Sequence, residues 1–146
     1  MVDARAVTLL LVEDDPGHAL LIERNLRRAH ITNTILSFRD GYTAVEYLFG
    51  EGLQRPRSLL VLLDLNLPGL NGFQILERLK TDARTKHIPV ICLTTTDHPA
   101  DVERCYTLGC NIFITKPIAY DEFIAAVQRL GLILTIAQIP HGGPTP

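Results

Sequence analysis

The sequence predicts a single α/β domain: a doubly wound (βα)5 fold whose five-stranded parallel sheet has strand order 2-1-3-4-5 and helices on both faces. Apolar, β-branched runs alternate with segments of helical spacing along a chain of 146 residues. The run at 59–63 is apolar at every position, as expected of a central strand covered on both faces. Right-handed crossovers leave few topologies, and this order is the natural one for five strands.

The predicted strands and helices alternate strictly. Strands are expected near residues 7–12, 33–38, 58–63, 88–94 and 111–115. Helices are expected at residues 16–29, 41–50, 72–81 and 99–108 and from about residue 120. Because two parallel strands need a long crossover between them, this alternation is the one that a parallel sheet requires.

The ends of the helices are predicted from their capping residues. Asp15 is expected to cap the first helix, because Pro16 suits the first helical position. The second helix begins after Asp40, and the third follows the turn at Asn71-Gly72. Gly109 ends the fourth helix.

The faces of the helices are predicted from apolar spacing. The buried stripe of the first helix is expected to consist of Leu20, Leu21, Arg24, Leu26 and Ala29. The fourth helix is expected to bury Val102, Tyr106 and Leu108, and the fifth to bury Phe123, Ile124, Val127 and Leu130.

Composition bounds the class of protein. A formal net charge of −2 gives no broad basic surface, so nucleic acid is not an expected partner. No apolar run reaches membrane-spanning length, and the expected location is the cytoplasm. The three cysteines are expected to be reduced thiols, with Cys92 in the core. One domain is expected over residues 1–139, followed by a disordered tail at 140–146.

Charged residues follow three of the predicted strands. Glu13 and Asp14 come after the first strand, Asp64 after the third and Lys116 after the fifth. The carboxyl ends of parallel strands meet at one edge of a sheet, where such folds place their sites. Carboxylates about 4–6 Å apart repel by about 3–4 kcal/mol per pair at an effective dielectric constant near 20, so the group must protonate or bind a cation. Hard oxygen ligands of this kind suit Mg²⁺.

This edge is predicted to be a site at which an aspartate becomes phosphorylated with the help of Mg²⁺. Asp64 is the expected nucleophile, because a carboxylate that attacks phosphorus gives an acyl phosphate. Lys116 is expected to hold a phosphate oxygen or to pair with Asp64 beforehand. Thr94 offers a hydroxyl near the same edge, although threonine is also common in strands. The alternative for the acids alone is that they are solvated strand ends, which the agreement of three strand ends with a lysine disfavours.

Four motifs together resemble the receiver domain of bacterial response regulators, and their order and spacing cover residues 7–131. These motifs are Leu11-Val12-Glu13-Asp14-Asp15, the stretch from Leu63 to Gly72, Leu93-Thr94-Thr95 and Thr115-Lys116-Pro117. The resemblance implies a phosphoacceptor that catalyses its own phosphorylation and dephosphorylation, rather than an enzyme acting on a separate substrate.

The resemblance also implies roles for individual residues. Asp64 is the implied phosphoacceptor, with Mg²⁺ held by Asp14, Asp64 and the backbone carbonyl of Asn66, and with Glu13 as an outer acid acting through water. Thr94 and Phe113 are the implied switch pair. The Lys116-Pro117 peptide bond is implied to be cis.

A narrower resemblance concerns the partner. Asp40-Gly41, the long loop at 50–58 and Leu108-Gly109-Cys110-Asn111 are similar to the stand-alone regulators paired with phytochrome-type histidine kinases. This similarity implies such a kinase as partner. It also implies a homodimer through the side formed by the fourth helix, fifth strand and fifth helix, extended by the apolar segment 132–139.

Three other functions fit parts of the pattern. An FMN carrier shares the fold but needs a phosphate loop rich in hydroxyls and amides after the first strand, where this chain has acids. A phosphatase with an aspartate nucleophile needs a second aspartate two positions on, and residue 66 is Asn. A phosphorylation-independent interaction module on the same fold is the remaining alternative.

Overall fold

The computed structural model describes residues 7–50, 55–56 and 58–137, with side chains described as far as residue 131. In this part of the chain, five strands alternate with five helices. The strands are β1 (Thr8–Val12), β2 (Ile35–Phe38), β3 (Leu59–Asp64), β4 (Val90–Thr94) and β5 (Ile112–Thr115). The helices are α1 (Pro16–Arg28), α2 (Gly41–Phe49), α3 (Gly72–Thr81), α4 (Pro99–Leu108) and α5 (Tyr120–Ala137).

The strands form one parallel sheet in the order β2-β1-β3-β4-β5, which confirms the predicted topology. Every residue of β1, β3 and β4 is buried, whereas β2 and β5, at the two edges, are mostly half-buried. The apolar run at 59–63 therefore lies in the middle of the sheet, because only a strand covered on both faces can be apolar throughout.

The two faces of the sheet each have a hydrophobic core. Successive strand residues point to opposite faces, so Leu10 and Val12 pack under α2, α3 and α4 while Leu9 and Leu11 pack under α1 and α5. This arrangement places helices on both faces, as predicted. It also leaves the carboxyl edge of the sheet as the place where the loops after the strands meet.

Side-chain caps fix the start of several helices. The Asp15 carboxylate accepts hydrogen bonds from the backbone N–H groups of Gly17 (2.8 Å) and His18 (3.1 Å), as predicted for an N-cap. Asn71 and Gln74 form a reciprocal capping box at the start of α3, which the turn signal alone did not reveal.

The predicted buried faces of α1 and α4 were wrong in part, although Leu26 is buried as predicted and Ala29 and Leu108 are partly buried against the core. Helix α1 buries Ala19, Ile22 and Leu26, whereas Leu20 and Leu21 are 47% and 50% exposed. Four consecutive apolar residues offer two overlapping helical stripes, and the one spaced 19, 22 and 26 packs on the sheet.

On α4, Cys105 is the buried residue, and Tyr106 is 50% exposed. The stripe predicted for α5 is confirmed, because Phe123, Ile124, Val127 and Leu130 are all buried.

The backbone of α5 continues as far as Ala137. The side chains of the segment 132–139 and the whole tail at 140–146 lie outside the described residues, so the predictions made for them stay predictions. Within the described residues, none of the helices combines the length and the apolar character that crossing a membrane requires.

Candidate functional site

The loops at the carboxyl edge of the sheet bring the predicted site residues together. The parallel register sets Val12 beside Leu63 and Asp64 beside Leu93, so the ends of β1, β3 and β4 lie at one level. Glu13 follows β1 directly, Asp64 is the last residue of β3, and Thr94 is the last residue of β4. Residues as far apart in the sequence as Glu13 and Lys116 therefore meet at one place, because the strands run in the same direction.

Lys116 lies at the centre of this edge. Its Nζ donates hydrogen bonds to Glu13 Oε1 and to Asp64 Oδ2, the second at 3.3 Å, and it lies 3.1 Å from His18 Nδ1. The side chain is only 8% exposed, so its ammonium group is held against two carboxylates away from bulk water. The pairing with Asp64 was predicted, whereas the contact with Glu13 was not.

Glu13 is the most deeply buried acid of the site. Its side chain is 1% exposed, and Oε2 accepts a hydrogen bond from the backbone N–H of Asp15 at 3.2 Å. Burial raises the pKa of Glu13 above its ordinary value, and the hydrogen bond from Lys116 opposes that shift. The lysine therefore compensates part of the cost of burying a carboxylate here.

Glu13, Asp14 and Asp64 form a cluster that fits a divalent cation. Their oxygen atoms lie within 4.8 Å of one another, with Asp14 exposed and the other two buried. Three carboxylates and one lysine carry a charge of −3 + 1 = −2 when ionised, and like charges about 5 Å apart repel by about 3 kcal/mol per pair at an effective dielectric constant near 20. All-oxygen donors with this charge are the set that Mg²⁺ prefers.

Asn66 connects the loop after Asp64 to the end of β4. Its backbone N–H donates to Asp64 Oδ1 at 3.0 Å, and its side-chain Nδ2 donates to Thr94 Oγ1 at 2.7 Å and to Thr95 Oγ1 at 3.1 Å. The hydroxyl of Thr94 also accepts from the backbone N–H of Thr96 at 3.3 Å. The metal-binding role predicted for the Asn66 carbonyl stays a prediction. The Asn66 side chain additionally binds the hydroxyls of Thr94 and Thr95.

The start of α3 packs directly against the end of β3. A Cβ atom at Gly72 would lie 2.5 Å from the carbonyl oxygen of Asp64 and 2.5 Å from the Cα of Leu65. Only glycine allows such an approach of two backbones. The backbone N–H of Gly72 also donates to the carbonyl oxygen of Leu65 at 3.2 Å, which fixes the loop that carries Asp64.

The remaining predicted residues lie on β5 and after it. Phe113 is half-buried against the core under α4, and its backbone N–H donates to the hydroxyl of Tyr106 at 3.3 Å. The Lys116-Pro117 peptide bond is cis. The hydrogen bond to Tyr106 was not predicted, because helical spacing placed Tyr106 on the buried face of α4.

His18 is a second residue that sequence reasoning left out. It lies in the first turn of α1, and with Leu21, Lys116, Pro117 and Ile118 it lines a cavity of about 90 Å³ beside the acidic cluster. Its position three residues after Asp15 could have predicted this location. The first turn of a helix that follows β1 must also lie at the carboxyl edge of the sheet.

Known proteins have similar sequences and the same fold. The family model described as "Response regulator receiver domain" matches residues 9–128. Response regulator Rcp1 of Synechocystis sp. is 36% identical over 84% of this chain and 84% of its own length. A solved response regulator receiver domain from Rhodospirillum rubrum is 47% identical, with a TM-score of 0.75 over 91% of this chain and 96% of that one.

Two further solved structures come from regulators with related names. The bacteriophytochrome response regulator RtBRR is 34% identical, with a TM-score of 0.73 over 85% of this chain and 77% of its own. The Mn²⁺-bound form of Rcp1 is 33% identical, with a TM-score of 0.73 over 91% of this chain and 98% of its own.

Proposed function

Because the chain belongs to the response regulator receiver family, we propose that Asp64 accepts a phosphoryl group from a sensor histidine kinase of the phytochrome type in the cytoplasm. One observation carries the proposal: the ammonium group of Lys116 lies between the buried carboxylates of Glu13 and Asp64, which come from different strands. Burying three charged groups at the edge of a sheet costs free energy. A site for phosphoryl transfer needs charged groups of this kind, because it must position the phosphoryl group and stabilise its charge.

The proposed cofactor is Mg²⁺, held by Asp14, Asp64 and the backbone carbonyl of Asn66, with Glu13 acting through water. When bound, the cation neutralises charge on the phosphoryl oxygens. The separation of the three carboxylates supports this assignment, since their oxygen atoms lie within 4.8 Å of one another.

The transfer step is a displacement at phosphorus. A carboxylate oxygen of Asp64 attacks, a P–O bond forms, the P–N bond of the kinase phosphohistidine breaks, and the imidazole leaves with the bonding electrons and takes up a proton. Lys116 is already within hydrogen-bond distance of Asp64 and supplies positive charge to the incoming phosphoryl oxygens. The same groups orient water for the later hydrolysis, so the protein catalyses both its phosphorylation and its dephosphorylation.

The proposed switch begins at Thr94. Its hydroxyl oxygen accepts a hydrogen bond from the side chain of Asn66, and a phosphoryl group on Asp64 would offer acceptor oxygens to which the same hydroxyl can donate its O–H. Movement of Thr94 changes the space beside Phe113, which is half-buried and bonded through its backbone to Tyr106 on α4. Phosphorylation is thereby passed to α4 and β5.

The exposed side of α1 is the proposed docking surface for the kinase. Leu20 and Leu21 are exposed aliphatic side chains, and Leu21 lines the cavity that Lys116 shares with Pro117 and Ile118. An apolar patch immediately beside the reacting carboxylate suits a partner that must bring its phosphohistidine to Asp64. The similarity to bacteriophytochrome response regulators supports a phytochrome-type kinase in that place.

A homodimer through α4, β5 and α5, with the segment 132–139, is the proposed assembly. The supporting features are the edge position of β5 and the exposed ring of Tyr106. Sedimentation of the full chain tests it: Tyr106→Glu is expected to give monomers, while Tyr42→Glu, at an exposed tyrosine on α2, leaves dimers. Monomeric wild-type protein at all concentrations would exclude this assembly.

Intact-mass measurement after incubation with Mg²⁺ and acetyl phosphate tests phosphorylation. The wild type and Asp82→Asn, a control at the half-buried aspartate that ends α3 outside the site, are expected to gain one phosphoryl group, and Asp64→Asn none. Chelation of the metal is expected to abolish the gain. A gain in Asp64→Asn, or none in the wild type with acetyl phosphate or kinase, would favour a phosphorylation-independent interaction module instead.

A further inference from the structure

His18 contacts the ammonium group of the site lysine from the first turn of α1. Its Nδ1 lies 3.1 Å from Lys116 Nζ, although the two residues are 98 positions apart in the sequence. The His18 side chain is 48% exposed, whereas that of Lys116 is 8% exposed. The transfer step described above uses Lys116 and Asp64 but gives this imidazole no part.

The ammonium group of Lys116 has a separate acceptor for each of its three N–H bonds. One N–H is directed to Glu13 Oε1 and another to Asp64 Oδ2 at 3.3 Å. The third acceptor is His18 Nδ1. The three acceptors come from the loop after β1, from the end of β3 and from α1. Together they fix both the position of Nζ and its rotation about the Cε–Nζ bond.

The direction of the contact determines the tautomer of the imidazole. An ammonium group can only donate, so His18 Nδ1 must accept the hydrogen bond and the ring proton must lie on Nε2. The backbone of His18 is fixed as well, because its N–H donates to the Asp15 carboxylate at 3.1 Å in the N-cap of α1. The imidazole is thus presented to Lys116 by a capped helix.

The three acceptors of Lys116 differ in what the reaction does to them. Only Asp64 reacts in the proposed transfer, and the N–H now bonded to its Oδ2 is the one that can pass to an incoming phosphoryl oxygen. Glu13 and His18 form no bond to phosphorus, so they can hold the other two N–H groups throughout. With those two donors fixed, the remaining donor stays directed at the place where the phosphoryl group arrives.

We propose that His18 is a positioning residue for phosphoryl transfer: its Nδ1 orients the Lys116 ammonium group so that one N–H stays directed at Asp64. The inference rests on the proposed function of Asp64 as the phosphoacceptor. Without the imidazole, the ammonium group can turn and donate to water in its place, so the reactive arrangement is less populated. The expected loss of rate is about three- to tenfold, of the order of one hydrogen bond.

The rate of phosphoryl uptake from acetyl phosphate with Mg²⁺, measured on the full chain by intact mass, tests this role. His18→Leu removes the acceptor and is expected to react about three- to tenfold more slowly than the wild type. His18→Asn places an amide oxygen near the position of Nδ1 and is expected to restore most of the rate. His87→Leu, at an exposed histidine between α3 and β4, is the matched control and is expected to react as the wild type does.

The imidazole also gives a measurement that needs no phosphorylation. In the ¹⁵N NMR spectrum of the wild type, His18 is expected to be the Nε2–H tautomer, with Nδ1 as the unprotonated nitrogen. Lys116→Met removes the donor and is expected to shift the Nδ1 resonance. Lys86→Met, at an exposed lysine before β4, is the control and is expected to leave that resonance unchanged.

The outcomes separate this inference from the proposed function. Equal uptake rates in the wild type and His18→Leu would overturn the role of His18 and leave Asp64 as the phosphoacceptor. A His18 proton on Nδ1, or an Nδ1 resonance that ignores Lys116→Met, would overturn that role whatever the rates. No uptake by the wild type from acetyl phosphate or a kinase would overturn the proposed function, and this inference with it.

Discussion

Helices α1 and α4 begin at the same edge of the sheet, but they are attached to it very differently. Each has a proline in its first turn, and each follows a strand with a candidate site residue at its end or directly after it. Helix α1 buries Ala19, Ile22 and Leu26, whereas α4 buries Cys105. Since the free energy that holds a helix to a sheet comes mainly from buried apolar area, α1 is the firmly fixed wall of the site and α4 the loosely held one.

The N-terminal caps also hold α1 more firmly than α4. The Asp15 carboxylate accepts two backbone hydrogen bonds at the start of α1. At the start of α4, His98 Nδ1 accepts one, from the N–H of Ala100 at 3.2 Å. The difference teaches that unequal packing of neighbouring helices lets one edge combine the proposed docking surface, on the firmly packed α1, with the more loosely packed α4 that the proposed switch moves.

Truncating a buried residue of each helix gives the largest expected contrast. Leu26→Ala is expected to lower the free energy of unfolding by about 2–5 kcal/mol, because it leaves a cavity where a fully buried side chain stood. Cys105→Ala removes a single sulfur atom and is expected to cost less. Urea unfolding with unchanged m-values measures both. Equal losses would mean that α4 is anchored as firmly as α1.

Native-state hydrogen exchange sharpens the comparison without mutation. Amides in the middle of α4 are expected to exchange through local opening, with a free energy about 2 kcal/mol below that of α1, of the order of one buried aliphatic side chain. The proposed switch relies on that lower value. Equal protection of the two helices would remove the physical basis for assigning the movement to α4.

A smaller effect is expected at the contact between α4 and β5. Tyr106→Phe removes the acceptor for the backbone N–H of Phe113 and is expected to cost about 0.5–1 kcal/mol, at the low end for a hydrogen bond because the ring is half exposed. Faster exchange of the Phe113 amide is the specific measurement. Tyr42→Phe, at another exposed tyrosine, serves as the control and is expected to leave that amide unchanged.

The smallest stability effect is expected on the exposed side of α1. Leu21→Ala is expected to change the free energy of unfolding by no more than about 0.5 kcal/mol. It is expected to slow phosphotransfer from the kinase about tenfold, the loss of roughly 1.4 kcal/mol of contact, while reaction with acetyl phosphate is unchanged. Tyr42→Ala, at an exposed residue of α2 outside the proposed docking surface, is the control. A matched decrease with acetyl phosphate would point to the site itself rather than to docking.

The sheet was predictable from the sequence because buried strands appear there as short apolar runs. Apolar runs, turn residues and strict alternation determined the strand order and the positions of the ten elements. The faces of α1 and α4 were not determined in the same way. Residues 19–22 are all apolar, and Cys105 and Tyr106 are adjacent, so the choice of buried face depended on tertiary packing that helical spacing alone does not resolve.

The candidate site was predictable to the extent that it depends on strand direction. Glu13, Asp14, Asp64 and Lys116 meet because their strands are parallel, and any sheet with this order must collect them at one edge. Contacts made by side-chain reach were not predictable, such as the hydrogen bond from Asn66 to Thr94 and the approach of His18 to Lys116.

The contact at Gly72 restricts how this protein can be altered. A single methyl group there would force α3 away from β3, the strand that ends in Asp64, since it would overlap the Asp64 backbone. Redesign of α3 at an outward position such as Glu77 leaves that spacing untouched. The position of Asp64 thus depends on the absence of a side chain at residue 72, and an engineer who grafts a new recognition surface onto α3 must keep glycine there.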